Sequence, residues 1–132
     1  MYHKLEIIGR LGKDPEVRYQ PGGQPVVSFS VASSEEWKGQ DGQTHKRTHW
    51  WRVSAFGKQA ETIHQYLHKG SFVYLEGRLR VDEQTGGPRL YTRPDNTVSA
   101  SFEVTANVVK FLSSSRPEHH AEPTPEDVFE GA

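Results

Sequence analysis

Cysteine is absent from the 132 residues, which excludes disulfide scaffolds, thiol nucleophiles and cysteine-based zinc or iron–sulfur sites. The lack of disulfides fits a reducing, intracellular setting. Hydrophobic residues are scarce at 33%, so the core is modest and part of the chain is expected to stay outside it. No run approaches the roughly 18 apolar residues of a membrane span. Met1-Tyr2-His3-Lys4 leads straight into a strand-like segment instead of an apolar signal or an Arg/Ser-rich transit peptide. A soluble, untargeted chain without membrane contact is expected.

Catalytic motifs are missing as well. No G-x-S-x-G occurs, and the carboxylates show no pairing that recommends acid–base work. Gly9-Arg10-Leu11-Gly12-Lys13-Asp14 has the wrong glycine spacing for a phosphate loop and lacks Ser or Thr after its lysine, so a strand bulge is expected there. His64 and His68 stand at i and i+4 on an expected helix, but Gln65-Tyr66-Leu67 between them holds no glutamate and no third ligand is evident. Neither a metal, nor a cofactor, nor an enzymatic activity is expected.

An excess of either charge is also lacking overall, since 16 basic and 17 acidic residues leave a net of −1. The distribution is uneven. Residues 1–112 hold 15 Lys and Arg against 12 Asp and Glu, a net of +3, whereas residues 113–132 hold one Arg against five acids, a net of −4. That last stretch opens on Ser113-Ser114-Ser115-Arg116-Pro117, contains three prolines and closes on Glu126-Asp127-Val128-Phe129-Glu130-Gly131-Ala132. It has too little apolar surface to offset the entropy of ordering it, and a disordered acidic tail is expected for 113–132, behind one folded domain over 1–112.

Aromatic residues, at 11%, are plentiful, and strand signals dominate the first 112 residues. Leu5, Ile7 and Ile8 open a first strand. Val27, Phe29 and Val31 alternate with Ser28 and Ser30 in a second. The polar stretch Ser33 to Thr48, with Gly39, Gly42 and one large apolar residue, Trp37, reads as a long hairpin loop carrying an exposed aromatic. A third strand, His49 to Phe56, puts Trp51, Val53 and Ala55 on one face and Trp50, Arg52, Ser54 and Phe56 on the other. Ala60, Ile63 and Leu67 fall at helical spacing, with Gly70 as the expected C-terminal cap. A fourth strand runs from Phe72 to Val81, a polar loop from Asp82 to Asn96, and a fifth strand from about Val98 to Leu112. An all-β chain of five strands, with one short helix between the third and fourth and long loops in its first and last hairpins, matches the oligonucleotide/oligosaccharide-binding (OB) barrel.

Binding of single strands needs cations for the phosphates and flat side chains on which bases stack. The third strand supplies both on one face, through Trp50, Arg52 and Phe56, and Trp37 is placed to fold over the same groove. The alternative is that Trp50 and Phe56 are ordinary packing residues. Trp51 is expected in the core or at a subunit contact. Lys38, Lys46 and Arg47 flank the first loop, Arg78 and Arg80 lie on the fourth strand, and Arg89, Tyr91 and Arg93 lie in the second loop. Together they would make binding salt-dependent through counterion release.

Five segments in order carry a resemblance: Ile8-Gly9-Arg10-Leu11-Gly12-Lys13-Asp14-Pro15-Glu16-Val17-Arg18-Tyr19, Phe29-Ser30-Val31-Ala32, Trp50-Trp51-Arg52-Val53, Phe56-Gly57-Lys58-Gln59-Ala60-Glu61, and Tyr66-Leu67-His68-Lys69-Gly70 through Val73-Tyr74-Leu75-Glu76-Gly77-Arg78-Leu79. Over roughly residues 3–112 the chain resembles the bacterial single-stranded-DNA-binding proteins. The resemblance implies the same barrel, no enzymatic step, a homotetramer, and coating of single-stranded DNA in the cytoplasm, at the nucleoid, during replication, recombination and repair. It implies base stacking by Trp37, Trp50 and Phe56, and docking of replication and repair proteins by the acidic tail through Glu126, Asp127 and Phe129. Two departures accompany it. The family's further stacking tryptophan near the start of the second loop is replaced by Asp82-Glu83-Gln84, with Tyr91 the first aromatic beyond. The family's terminal Pro-Phe is absent, since Glu130-Gly131-Ala132 follows Phe129. A replication-accessory or RNA-binding barrel of the same fold is the alternative function.

Overall fold

The computed structural model describes residues 1–112; the expected tail 113–132, with Glu126, Asp127 and Phe129, lies outside the described residues. Alternating apolar residues build the barrel from five strands, β1 (Leu5–Leu11), β3 (Pro25–Lys38), β4 (Thr44–Phe56), β5 (Phe72–Leu79) and β8 (Phe102–Phe111). Their order is β1-β5-β8-β4-β3, and Arg10 and Leu11 of β1 pair back onto Ala32 and Val31 of β3, which closes the ring. All these pairings are antiparallel except β4 with β8. Val27, Phe29 and Val31, Val53 and Ala55, Val73 and Leu75, and Val104 and Ala106 point inward and are buried. Each large apolar side chain removed from water stabilises the fold by about 1.5–3 kcal/mol.

Helix α1 (Lys58–Tyr66) lies between the third and fourth barrel strands, as the periodicity predicts, and seats Ala60 and Ile63 in the core. Its end differs from expectation. Leu67, with ψ 145, already leaves the helix, so His68 lies beyond it and does not share a helix face with His64. Gly70 (φ 89) belongs to the following turn, where it donates to the Leu11 carbonyl. Among the described residues no group of three or more His, Asp or Glu could hold a metal ion, and no helix is long and apolar enough to cross a membrane.

The Gly9 segment is not a bulge. β1 pairs with β5 without a register shift from Leu5 to Arg10, and Gly9 is a close approach: a Cβ there would lie 2.3 Å from the Ala32 carbonyl oxygen. Three further strands refine the expected pattern. β2 (Glu16–Tyr19) pairs along β3, and the expected second loop contains a small hairpin of β6 (Leu90–Thr92) and β7 (Val98–Ala100). The expected fifth strand therefore breaks between Ala100 and Phe102 into β7 and β8. The largest revision concerns Ser33 to Thr48, which is not a loop. β3 and β4 stay in register from Val26↔Phe56 to Lys38↔Thr44, and only residues 39–43 turn, around Gly42 (φ 78) and an Asp41 carboxylate that accepts from the Gln43 amide at 3.0 Å. The segment is polar because both faces of the protruding hairpin meet solvent, while its backbone hydrogen bonds are met by the ladder.

Candidate nucleic-acid interface

Strict alternation along β4 sends Trp50, Arg52, Ser54 and Phe56 to the outer face of the barrel, opposite Ala32, Ser30, Ser28 and Val26 of β3. Small partners leave the large side chains standing clear. Trp50 is 54% exposed and Phe56 36% exposed. Trp50 rests on Gly12, whose amide donates to the Ser30 carbonyl at 3.0 Å; a Cβ on Gly12 would lie 2.6 Å from the indole. One side of the indole is thereby seated on backbone and the rest is open. Arg52 faces Glu103 across β4 and β8, and that carboxylate lies 3.7 Å from Arg89. Arg78 shares the outer face through its partner Thr105, with its guanidinium 5.9 Å from the Tyr2 ring. Arg80 is exposed just past β5.

The same alternation separates Trp37 from Trp50. Trp37 falls in the register of Val31 and Ser33, paired with His45, so it projects from the opposite face of the hairpin. There it stacks on His45 (centroids 5.6 Å apart) under the Arg47 guanidinium at 4.9 Å. Farther down that face His49 meets Glu35 at 3.2 Å and stacks on Trp51 at 6.2 Å. Trp51 donates its indole N–H to the Ser33 hydroxyl at 2.9 Å, touches Phe102 at 5.2 Å and packs half-buried against the core. Lys38 and Lys46 are exposed in the Trp50 register of the hairpin.

Between β4 and the β6–β7 hairpin lies an open groove of about 740 Å³. Arg47, Trp50, Trp51, Arg52, Tyr91 and Arg93 line it, with Phe102 at the start of β8. Arg93 donates to Ser99 at 3.0 Å. Hydrogen bonds with Ser99 and Ser101, and with Arg93, hold the Tyr91 phenol below the usual tyrosine range. The groove thus gathers Trp50, Arg52, Arg47 and Tyr91 from the expected set, leaves Phe56, Arg78 and Arg80 to the outer face, and commits Arg89 to Glu103. Sequence reasoning missed Gly12 beneath Trp50 and Phe102 beside Trp51. For Phe102 the only available signal was its position at the head of the Phe102, Val104, Ala106 alternation, which suggests burial and not exposure.

A closed five-stranded barrel whose outer sheet sets exposed aromatic rings among guanidinium groups defines an OB-fold binding protein. The single-strand binding protein family matches residues 2–112, and the chain belongs to that family. It is 44% identical over 110 residues to the single-stranded DNA-binding proteins of Neisseria meningitidis serogroups A and B. The match covers 83% of this chain and 59% of each relative, so the chain spans about three fifths of the length of the curated relatives it matches. Among solved structures it is similar to a Plasmodium falciparum SSB in complex with single-stranded DNA, at TM-score 0.71 and 25% identity over 86% of this chain and 97% of that one. A deletion mutant of the single-stranded DNA binding protein from Thermus aquaticus superposes at TM-score 0.65 and 26% identity, covering 83% of this chain and 50% of that one.

Proposed function

We propose that this protein binds and protects single-stranded DNA with little sequence preference, as a non-enzymatic coat during replication, recombination and repair. The observation that carries this is Trp50, seated on Gly12 and otherwise open, on one sheet face with Arg52 next to it and Phe56 farther along. A base stacks on such an indole whatever its identity, because every base offers a π-face, while Arg52, Arg78 and the hairpin lysines draw the phosphates. Residues 1–112 form the DNA-binding domain and 113–132 a separate acidic tail that docks replication and repair proteins through Glu126, Asp127 and Phe129. The assembly is a homotetramer working at the nucleoid in the cytoplasm, and family membership together with the exposed Tyr2, Ile8 and Phe111 supports association of copies.

The test is titration of the tryptophan fluorescence with polythymidylate at several salt concentrations, beside duplex DNA and single-stranded RNA competitors. Quenching by the single-stranded DNA, weakening as salt rises and with little effect of base composition, is the expected result. Equal affinity for duplex would overturn it, and preference for RNA would move the function to an RNA-binding barrel.

A further inference from the structure

Phe102 stands out among the residues that the outer stacking face leaves unused. It shares the inward register of Val104 and Ala106, which are buried, yet as the first residue of β8 it is 56% exposed. Its partner in the parallel ladder is Trp51, and the two rings lie 5.2 Å apart at 38°. Trp51 is itself fixed, by its hydrogen bond to Ser33 at 2.9 Å and by the His49 ring. An exposed ring backed by an immobilised one loses little conformational entropy when a flat ligand settles on it.

The groove around this pair is selective in its charge. Arg47, Arg52 and Arg93 line it and no carboxylate does. A second copy of this chain presenting the same surface would bring like charges together, whereas a nucleotide offers a flat base to the rings and a phosphate to the guanidiniums. The lining is also continuous with the outer face, since Trp50 and Arg52 belong to both.

We propose that Phe102, backed by Trp51, is a second stacking platform for an unpaired nucleobase, and that a DNA strand crossing Trp50 runs on around the edge of β4 into this groove. The inference rests on the single-strand-binding function and adds to it a subsite on the opposite register of β4. The strand's phosphates at that point meet Arg47 and Arg93, and Tyr91 forms part of the facing wall.

The experiment compares the wild-type chain with Phe102→Ala, Phe102→Trp and Trp50→Ala in binding to polythymidylate, with melting temperature and solution mass measured for each. Phe102→Ala is expected to weaken binding about 5- to 100-fold, the loss of one stacked base, at unchanged melting temperature and mass. Phe102→Trp is expected to restore affinity, and an oligonucleotide carrying iodouracil is expected to cross-link under ultraviolet light to Phe102 or Trp51. Wild-type affinity in Phe102→Ala, or a loss that accompanies a fall in assembled mass, overturns the platform; the latter makes Phe102 a contact between copies. If Trp50→Ala weakens binding while Phe102→Ala does not, this inference alone fails. If the wild-type chain does not bind polythymidylate, the function beneath it fails too.

Discussion

Trp50 shows how a single side chain is held ready as a stacking surface: it is 54% exposed on the outer face of β4. Its indole is held from below by the bare Cα of Gly12, so replacing Gly12 with alanine places a methyl group 2.6 Å from the ring. The ring tip is the part that yields, because the Gly12 backbone is tied to Ser30. Trp50→Ala is expected to weaken single-strand binding by about 1–3 kcal/mol, since the lost contact is a stacking surface and not a core contact. Gly12→Ala is expected to cost less, and in the double mutant to add almost nothing, because both changes disable one platform. Fluorescence titration of the four proteins checks this; additive losses would mean that Gly12 acts elsewhere. Trp50, Arg52 and Phe56 were legible from alternation alone. Arg89 was not, for its charge is directed at Glu103 from a different element.

At the scale of elements, the β3–β4 hairpin and the β1–β5 pair show opposite uses of polar residues. The hairpin stays extended through Ser33 to Thr48 although no apolar alternation marks it, since a backbone ladder once started continues wherever side chains on both faces can remain hydrated. Gly39 and Gly42 mark only its tip, and the polar residues on either side of them belong to the strands. On the β1–β5 pair, polar groups instead lock the strands together. Lys4 lies 2.7 Å from Glu76, and the Tyr74 hydroxyl lies 2.5 Å from Glu76 and 3.0 Å from Glu6. Lys4 first, then Tyr74, holds the Glu76 carboxyl below the usual glutamate range. The unfolded chain therefore binds this proton more tightly than the folded one, so the stabilisation is complete above the ordinary glutamate pKa and is lost as pH falls through the lowered one. Melting temperature is expected to drop less steeply on acidification in Glu76→Gln than in the wild type. Parallel curves for the two would show that the cluster does not contribute.

For the whole molecule the decisive quantity is the partition of charge, +3 on residues 1–112 and −4 on residues 113–132. The acidic segment and a DNA strand offer the same sign to the same Lys and Arg side chains, so the tail is expected to compete with DNA by simple electrostatics. Truncation after Leu112 is expected to tighten binding to polythymidylate at low salt, with the difference vanishing as the screening length shrinks to about 10 Å near 0.1 M salt. Affinity unchanged at low salt would remove the competition. Capture of replication proteins that survives the truncation would place their docking site on the barrel.

What the sequence determined by itself was the set of barrel strands, the position of the helix and the outer face bearing Trp50, Arg52 and Phe56. These follow from periods of two and 3.6, which are local properties of neighbouring residues. Tertiary structure alone decided that Trp37 projects from the opposite face to Trp50, that Gly12 lies beneath an indole, and that Phe102 meets Trp51 at the mouth of the barrel. Each depends on register or on contact between segments distant in the chain, and a local pattern carries no record of which distant strand will lie alongside it.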